Sequence, residues 1–329
     1  MIYYRVKDGV DKNKKPKFKI LDKNDKVVTD KKVLDYITKL VIPPAYADVS
    51  IFYEATPKIL FQGYDDKRRL QQIYSPAHKK KAAKKKFCHL LDFGKVLPKI
   101  ESDMDKYLKS DKFTKNKIIS IILKIVITCG FRLGNIKYQK LYNSFGISNI
   151  LKSHVTTKGQ EMYVKFIGKK GVLNECVIKN KQIILEINKL ITNKTAKAYV
   201  FTYRQDNEEK VITALEINKW LKDYHVNTTS KHFRTWDVNI LFIEYMRIHS
   251  KQFGDPTKLS LSKRKKAVVE AMKVISCQVN NTPNICKKEY LHIDLWTLYL
   301  EHPKKFKKYF FGCTTARICF INFLEEYCK

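Results

Sequence analysis

Residues 118–127 read Ile-Ile-Ser-Ile-Ile-Leu-Lys-Ile-Val-Ile, leaving almost no polar face. A helix that is apolar nearly all round is a buried one, so this stretch predicts a central helix, ending at Gly130. Helical spacing also covers 78–93, 182–191, 214–224, 233–249, 263–274 and 291–300, and 313–327 reads as an amphipathic closing helix. The period shortens to two between 154 and 178. There, 162–167 and 172–178 flank Gly168-Lys169-Lys170-Gly171, a hairpin with a basic tip. The first 75 residues are different again. Strands are expected at 2–6, 18–21, 27–29, 49–54, 59–64 and 70–74, with helical spacing at 33–41 until Pro43-Pro44. Ser75-Pro76, an N-cap followed by an N1 proline, marks the boundary. The expected fold is α+β: a small β-rich domain at 1–75 and a mostly α-helical domain with a β-hairpin at 76–329.

The net charge of +33 is spread along the whole chain, which points to a polyanionic partner, nucleic acid first. Part of it is a Lys/Ile/Asn bias that an A+T-rich genome would produce. That bias makes the nine arginines more informative, since guanidinium is kept where its planar fork matters. The run Lys79-Lys80-Lys81 to Lys84-Lys85-Lys86 reads as a phosphate-tracking face, an import signal or a solvated face. No apolar run reaches the ~18 residues of a spanning helix, and no secretory leader is seen, so a soluble, intracellular protein is expected. The eight cysteines lack C-x-x-C and Cys/His ligand spacing. They read as reduced thiols, with no metal site.

Four separated positions suggest chemistry. Lys287-Lys288-Glu289-Tyr290 sets a phenol beside ammonium groups, after Asn281-Thr282-Pro283, a polar turn whose proline starts a short helix. Arg132 lies in Cys129-Gly130-Phe131-Arg132-Leu133-Gly134, where two glycines would let backbone approach a ligand; a helix stop with a solvated Arg is the alternative. Arg234 is expected to begin a helix, suited to phosphate or else paired with Asp237. Lys169 sits at the hairpin tip, placed to protonate a leaving oxygen or simply solvated, and Lys170 beside it is not separated from it. Together these parts describe phosphoryl transfer with a tyrosine nucleophile, two guanidinium clamps and a lysine acid. The acidic cluster of a two-metal nuclease is not seen.

The strings G-F-R-L-G-N-x-K-Y (130–138), F-x-G-K (166–169), K-x-x-R-T (231–235) and N-T-P-x-x-x-K-x-x-Y (281–290) resemble those of the small type IB DNA topoisomerases of poxviruses and giant DNA viruses. The resemblance implies a monomeric two-domain clamp on duplex DNA that relaxes supercoils through a 3′-phosphotyrosyl intermediate, without ATP, cofactor or obligatory metal. It implies Tyr290 as nucleophile, Arg132 and Arg234 as transition-state clamps, and Lys169 as general acid. Asn281 takes the place of a histidine that donates to a non-bridging oxygen in the poxvirus enzymes, as in the giant-virus branch. Arg69, Gln71, Gln72, Tyr74, Lys137 and Tyr138 map to DNA-reading positions, and the implied setting is the virion and cytoplasmic viral replication and transcription sites. A tyrosine recombinase is the nearest rival, although Lys231-His232-Phe233-Arg234 departs from its usual H-x-x-R. A non-catalytic basic DNA-binding protein is the other alternative.

Overall fold

The computed structural model describes every residue except Ala55, Thr56, Asn207 and Cys313. The chain forms two compact units, Met1–Lys86 and Phe87–Lys329. The division lies inside the long helix α2 (Pro76–Leu108), which starts at the proline where the sequence placed the boundary.

In the first unit β1 (Ile2–Val10), β2 (Pro16–Leu21), β3 (Ala47–Phe52), β4 (Ile59–Tyr64) and β5 (Leu70–Tyr74) form an antiparallel sheet of order β2-β1-β3-β4-β5. Helix α1 (Lys31–Lys39) is capped by Asp30, which accepts from the Lys32 amide. Its Val33 and Ile37 pack with Tyr3, Val49, Ile51 and Phe61, a small core made by one helical stripe and one sheet face. The expected strand at 27–29 is not formed. Val27 makes a single bridge to Leu21 and the chain then turns at Asp30 into α1, too soon for a ladder.

The second unit contains α3 (Lys115–Cys129), whose Ile118, Ile119, Ile121, Ile122 and Leu123 are wholly inaccessible to solvent. The all-round apolar pattern therefore gives the buried helix it predicts. After α3 come α4 (Ile136–Tyr142), a sheet of β6 (Val155–Lys158), β7 (Glu161–Ile167) and β8 (Leu173–Ile178), and α5 (Lys181–Ile191). A hairpin of β9 (Thr202–Gln205) and β10 (Glu208–Val211) leads to α6 (Ala214–Lys222), α7 (Ser230–Phe253) and α8 (Leu261–Gln278). Then follow the short turn α9 (Pro283–Ile285), α10 (Ile293–Glu301), α11 (Pro303–Phe311) and α12 (Ala316–Cys328). The α+β class stands as expected. The β9–β10 hairpin and α11 were not foreseen, and Cys313, the first residue of the expected closing helix, lies outside the described residues.

The reading of the cysteines as reduced thiols is corrected, among the described residues, by the disulfides Cys88–Cys328 and Cys129–Cys176, with Cα separations of 5.6 and 5.7 Å. They join α2 to α12 and α3 to β8 across 240 and 47 residues. No local spacing rule foresees them, because tertiary packing alone brings the partners together. Cys277 and Cys286 remain free. Among the described residues no helix is long and apolar enough to cross a membrane.

Candidate active site

Tyr290 is set by an unusual turn. Thr282 caps the Pro283–Ile285 turn, with the Ile285 amide donating to its hydroxyl at 3.4 Å. The chain then widens into a π-helical turn, Cys286–Tyr290, closed by Leu291 N–H donating to the Cys286 carbonyl at 3.1 Å. Single π turns recur at functional sites because they rotate one side chain out of α-helical register. Here the rotated residue is a tyrosine only 7 % exposed.

Two guanidiniums meet it. Arg132 Nη2 lies 3.4 Å from Tyr290 Oη, a long contact across 158 residues of sequence. The Arg234 guanidinium carbon lies 5.2 Å from the centre of the Tyr290 ring. Lys287 instead places its ammonium 3.9 Å from the centre of the Trp296 ring. The arginines thus bring positive charge to the phenol, while Lys287, a neighbour that the local sequence suggests for this, is turned to Trp296.

Arg234 is nearly inaccessible and donates from Nη2 to the Val279 carbonyl at 2.9 Å. Burial lowers its pKa to about 10, the Tyr290 phenol opposing that shift and nearby Arg132 adding to it, so it stays charged at neutral pH. Helix α7 begins at Ser230, so Arg234 lies a turn inside it and away from the N-terminal amides expected to hold phosphate. Its alternative partner, Asp237, is not bonded to it among the described residues. Burial pushes the Asp237 carboxyl up to about 7, with Arg317 opposing and Glu101 adding to the shift.

Arg132 sits on the loop between α3 and α4, and the glycines there serve protein contacts rather than a ligand. Gly130 has φ +63°, and a Cβ on it would lie 2.6 Å from the Val279 Cα. A Cβ on Gly134 would overlap the Asn149 side chain. The Ile147 amide donates to the Arg132 carbonyl at 2.9 Å, fixing the loop from the other side.

Asn281 follows Val279 and Asn280. Its Oδ1 accepts from the Thr282 amide at 3.1 Å, while its Nδ2 is buried without a hydrogen-bond partner among the described residues. Arg234 Nε is in the same condition. Unmatched buried donors are costly. Both stand on elements that lie beside Tyr290 in the chain or in space, Asn281 on the segment before it and Arg234 on α7.

Lys169 is not brought to this cluster. It is exposed at the tip between β7 and β8, and its ammonium has no bonded partner among the described residues. Lys170 beside it has φ 65° and is also exposed. Below them Asn174 Nδ2 donates to the Val172 carbonyl at 2.9 Å and tightens the turn.

The candidate DNA-reading residues lie in two places, described separately. At the edge of the first unit's sheet, Arg69, just before β5, and Gln71 on it both bond Asp65, whose carboxyl the Arg69 side chain and the Arg69 and Lys67 amides hold down at about 2. Gln72 donates to Gln62, and Tyr74 donates to Gln72. In the second unit Lys137 and Tyr138 are exposed on α4, a helix with no buried residue, where the Tyr138 and Tyr142 rings stack at 6.0 Å.

One residue at the site went unread in the sequence. Asn239, wholly buried on α7, donates from Nδ2 to the Tyr290 carbonyl at 2.9 Å and accepts at Oδ1 from the His292 amide at 2.8 Å. It clamps the backbone immediately after the phenol, on either side of Leu291. An Asn inside the apolar run Val238 to Ile243 was the available signal, because a buried amide has to find partners.

Residues 75–309 match the family described as eukaryotic DNA topoisomerase I, catalytic core. Residues 17–65 match the bacterial DNA topoisomerase IB N-terminal domain. The chain is 29% identical over 289 residues to the DNA topoisomerase 1B of Acanthamoeba polyphaga mimivirus, spanning 87% of this chain and 84% of that protein. It is 23% identical over 270 residues to the DNA topoisomerase 1B of vaccinia virus strain Copenhagen, spanning 80% and 81%.

Proposed function

Because the chain belongs to the type IB DNA topoisomerase family, we propose that Tyr290, Arg132, Arg234, Asn281 and Lys169 carry out its cleavage and religation of duplex DNA. The enzyme is a DNA topoisomerase of the small viral kind, which decides against the recombinase and the non-catalytic binder. The assignment of roles rests above all on the meeting of two guanidiniums at one phenol.

In the forward step the Tyr290 oxygen attacks a backbone phosphorus, forming a Tyr–O–P bond as the bond from phosphorus to the 5′-oxygen breaks. The phenolic proton leaves to water. Arg132 and Arg234 hold the non-bridging oxygens as charge builds on them, and Asn281 Nδ2 donates to one of them. Lys169 protonates the departing 5′-oxygen, since an alkoxide is a poor leaving group. For this the exposed hairpin tip closes onto the bound duplex. The free 5′-hydroxyl strand then rotates, and the reverse attack reseals the backbone. The phosphotyrosyl ester conserves the energy of the broken bond, so resealing needs no nucleotide.

Arg69, Gln71, Gln72 and Tyr74 at the sheet edge, with Lys137 and Tyr138 on α4, would contact the duplex, side-chain amides reading base edges and Lys137 a phosphate. A single copy would engage DNA through its 1–75 clamp domain and its 76–329 catalytic domain, within virions or cytoplasmic viral sites. Tyr290→Phe tests the central assignment: the covalent band on a denaturing gel should vanish while duplex binding stays within about twofold. A Tyr290→Phe protein that still relaxes plasmid would place the nucleophile elsewhere.

A further inference from the structure

We infer that Asn280 is a positioning residue for cleavage, locking the turn that bears Asn281 onto the helix end that precedes Arg132. This rests on the roles proposed above for Asn281 and Arg132. Asn280 has φ +48°, a left-handed conformation that Gly and Asn accept most readily. If only the backbone mattered, glycine would serve. The asparagine side chain adds a bond that glycine lacks: Nδ2 donates to the Cys129 carbonyl at 2.8 Å across 151 residues. Cys129 is the last residue of α3, where carbonyls have no partner inside the helix. One amide therefore satisfies an orphan acceptor and joins two remote segments of the site.

The neighbours of Asn280 make the consequence local to catalysis. Val279, before it, receives Arg234 on its carbonyl and presses its Cα against Gly130, two residues ahead of Arg132. Asn281, after it, carries the unpartnered buried donor. Three consecutive residues thus set the relative places of Arg234, Arg132 and Asn281, and Asn280 supplies the side-chain bond that keeps the turn from sliding along the end of α3. Shifts near 1 Å at a reacting centre cost on the order of 100-fold in rate.

The test uses the full chain in single-turnover cleavage of a labelled duplex, with DNA dissociation constant and melting temperature measured alongside. Asn280→Gly keeps the backbone conformation and removes the bond, and Asn280→Asp keeps the shape but turns the donor into an acceptor facing a carbonyl. Both should slow saturated cleavage by about 10- to 100-fold with the dissociation constant within about twofold. In an Asn281→Ala background the added loss from Asn280→Gly should shrink below about threefold, because one change has already removed what the other positions. Full additivity, or wild-type cleavage by Asn280→Gly beside a slow Asn281→Ala, overturns the inference alone. Wild-type cleavage by Asn281→Ala overturns the role proposed for Asn281 instead. A fall in melting temperature with parallel loss of DNA binding in both Asn280 variants would make Asn280 a folding residue and also overturn it.

Discussion

Replacing Asn239 by alanine should damage stability and chemistry together, and the hydrogen bonds give the scale. Its Nδ2 donates to the Tyr290 carbonyl at 2.9 Å and to the Thr235 carbonyl at 2.6 Å, and its Oδ1 accepts from the His292 amide at 2.8 Å. Removing one partner from a buried polar group costs about 1–3 kcal/mol. With the Tyr290 and His292 backbone groups both affected, a loss of about 2–5 kcal/mol in unfolding free energy is expected. The clamp holds the chain just where it leaves the π turn at Tyr290, so its loss also lets that turn relax and the phenol drift from the arginines. A fall in single-turnover cleavage of about 100-fold follows from such a misplacement. Asn239→Asp separates the two ends: it keeps the acceptor for His292 and loses the donor to Tyr290, so its cleavage should fall nearly as far. Urea unfolding and adduct formation at saturating DNA measure the two effects. An Asn239→Ala protein within about 0.5 kcal/mol of the parent would refute the buried clamp, taking ordinary surface substitutions as the yardstick. A destabilised protein that cleaves at full rate would show that the clamp serves the fold and not the nucleophile.

Lys169→Ala should slow cleavage of ordinary DNA by about 10²- to 10⁴-fold, while Lys170→Ala should alter mainly binding. A substrate with sulfur at the bridging 5′ position needs no proton to depart and should restore the Lys169 variant but not an Arg132 or Arg234 variant. Rescue of the Lys170 variant instead would move the acid by one residue. For Asp237, burial raises the folded pKa to about 7 from an unfolded value near ~3.9. The native state therefore holds its proton more tightly, and stability declines as pH rises from about 4 to about 7. Asp237→Asn should consequently stabilise the protein at pH 8, by on the order of 4 kcal/mol, and hardly at pH 4. A gain that is the same at both pH values would contradict the raised pKa of the half-buried Asp237 carboxyl.

The sequence by itself determined the parts whose cause is local. Strands β4 and β5 fall where alternation and turns place them, α3 follows from its all-round apolar run, and Thr282-Pro283 starts its short turn as capping chemistry requires. Motif order was enough to indicate the family, because each motif is a short string that can be read without knowing what it touches. The β9–β10 hairpin escaped notice since Arg204, Gln205, Glu208, Glu209 and Lys210 offer little apolar alternation. What only the tertiary structure decided depends on partners far along the chain. That Gly130 and Gly134 admit Val279 and Asn149 rather than a ligand, that Cys129 bonds Cys176, and that Arg234 caps Val279 instead of pairing with Asp237 are outcomes of packing. A side chain's type and period fix the face it offers. Which remote carbonyl, sulfur or ring meets that face is set by how α3, α7 and the Tyr290 turn close around one buried core, and no local pattern encodes it.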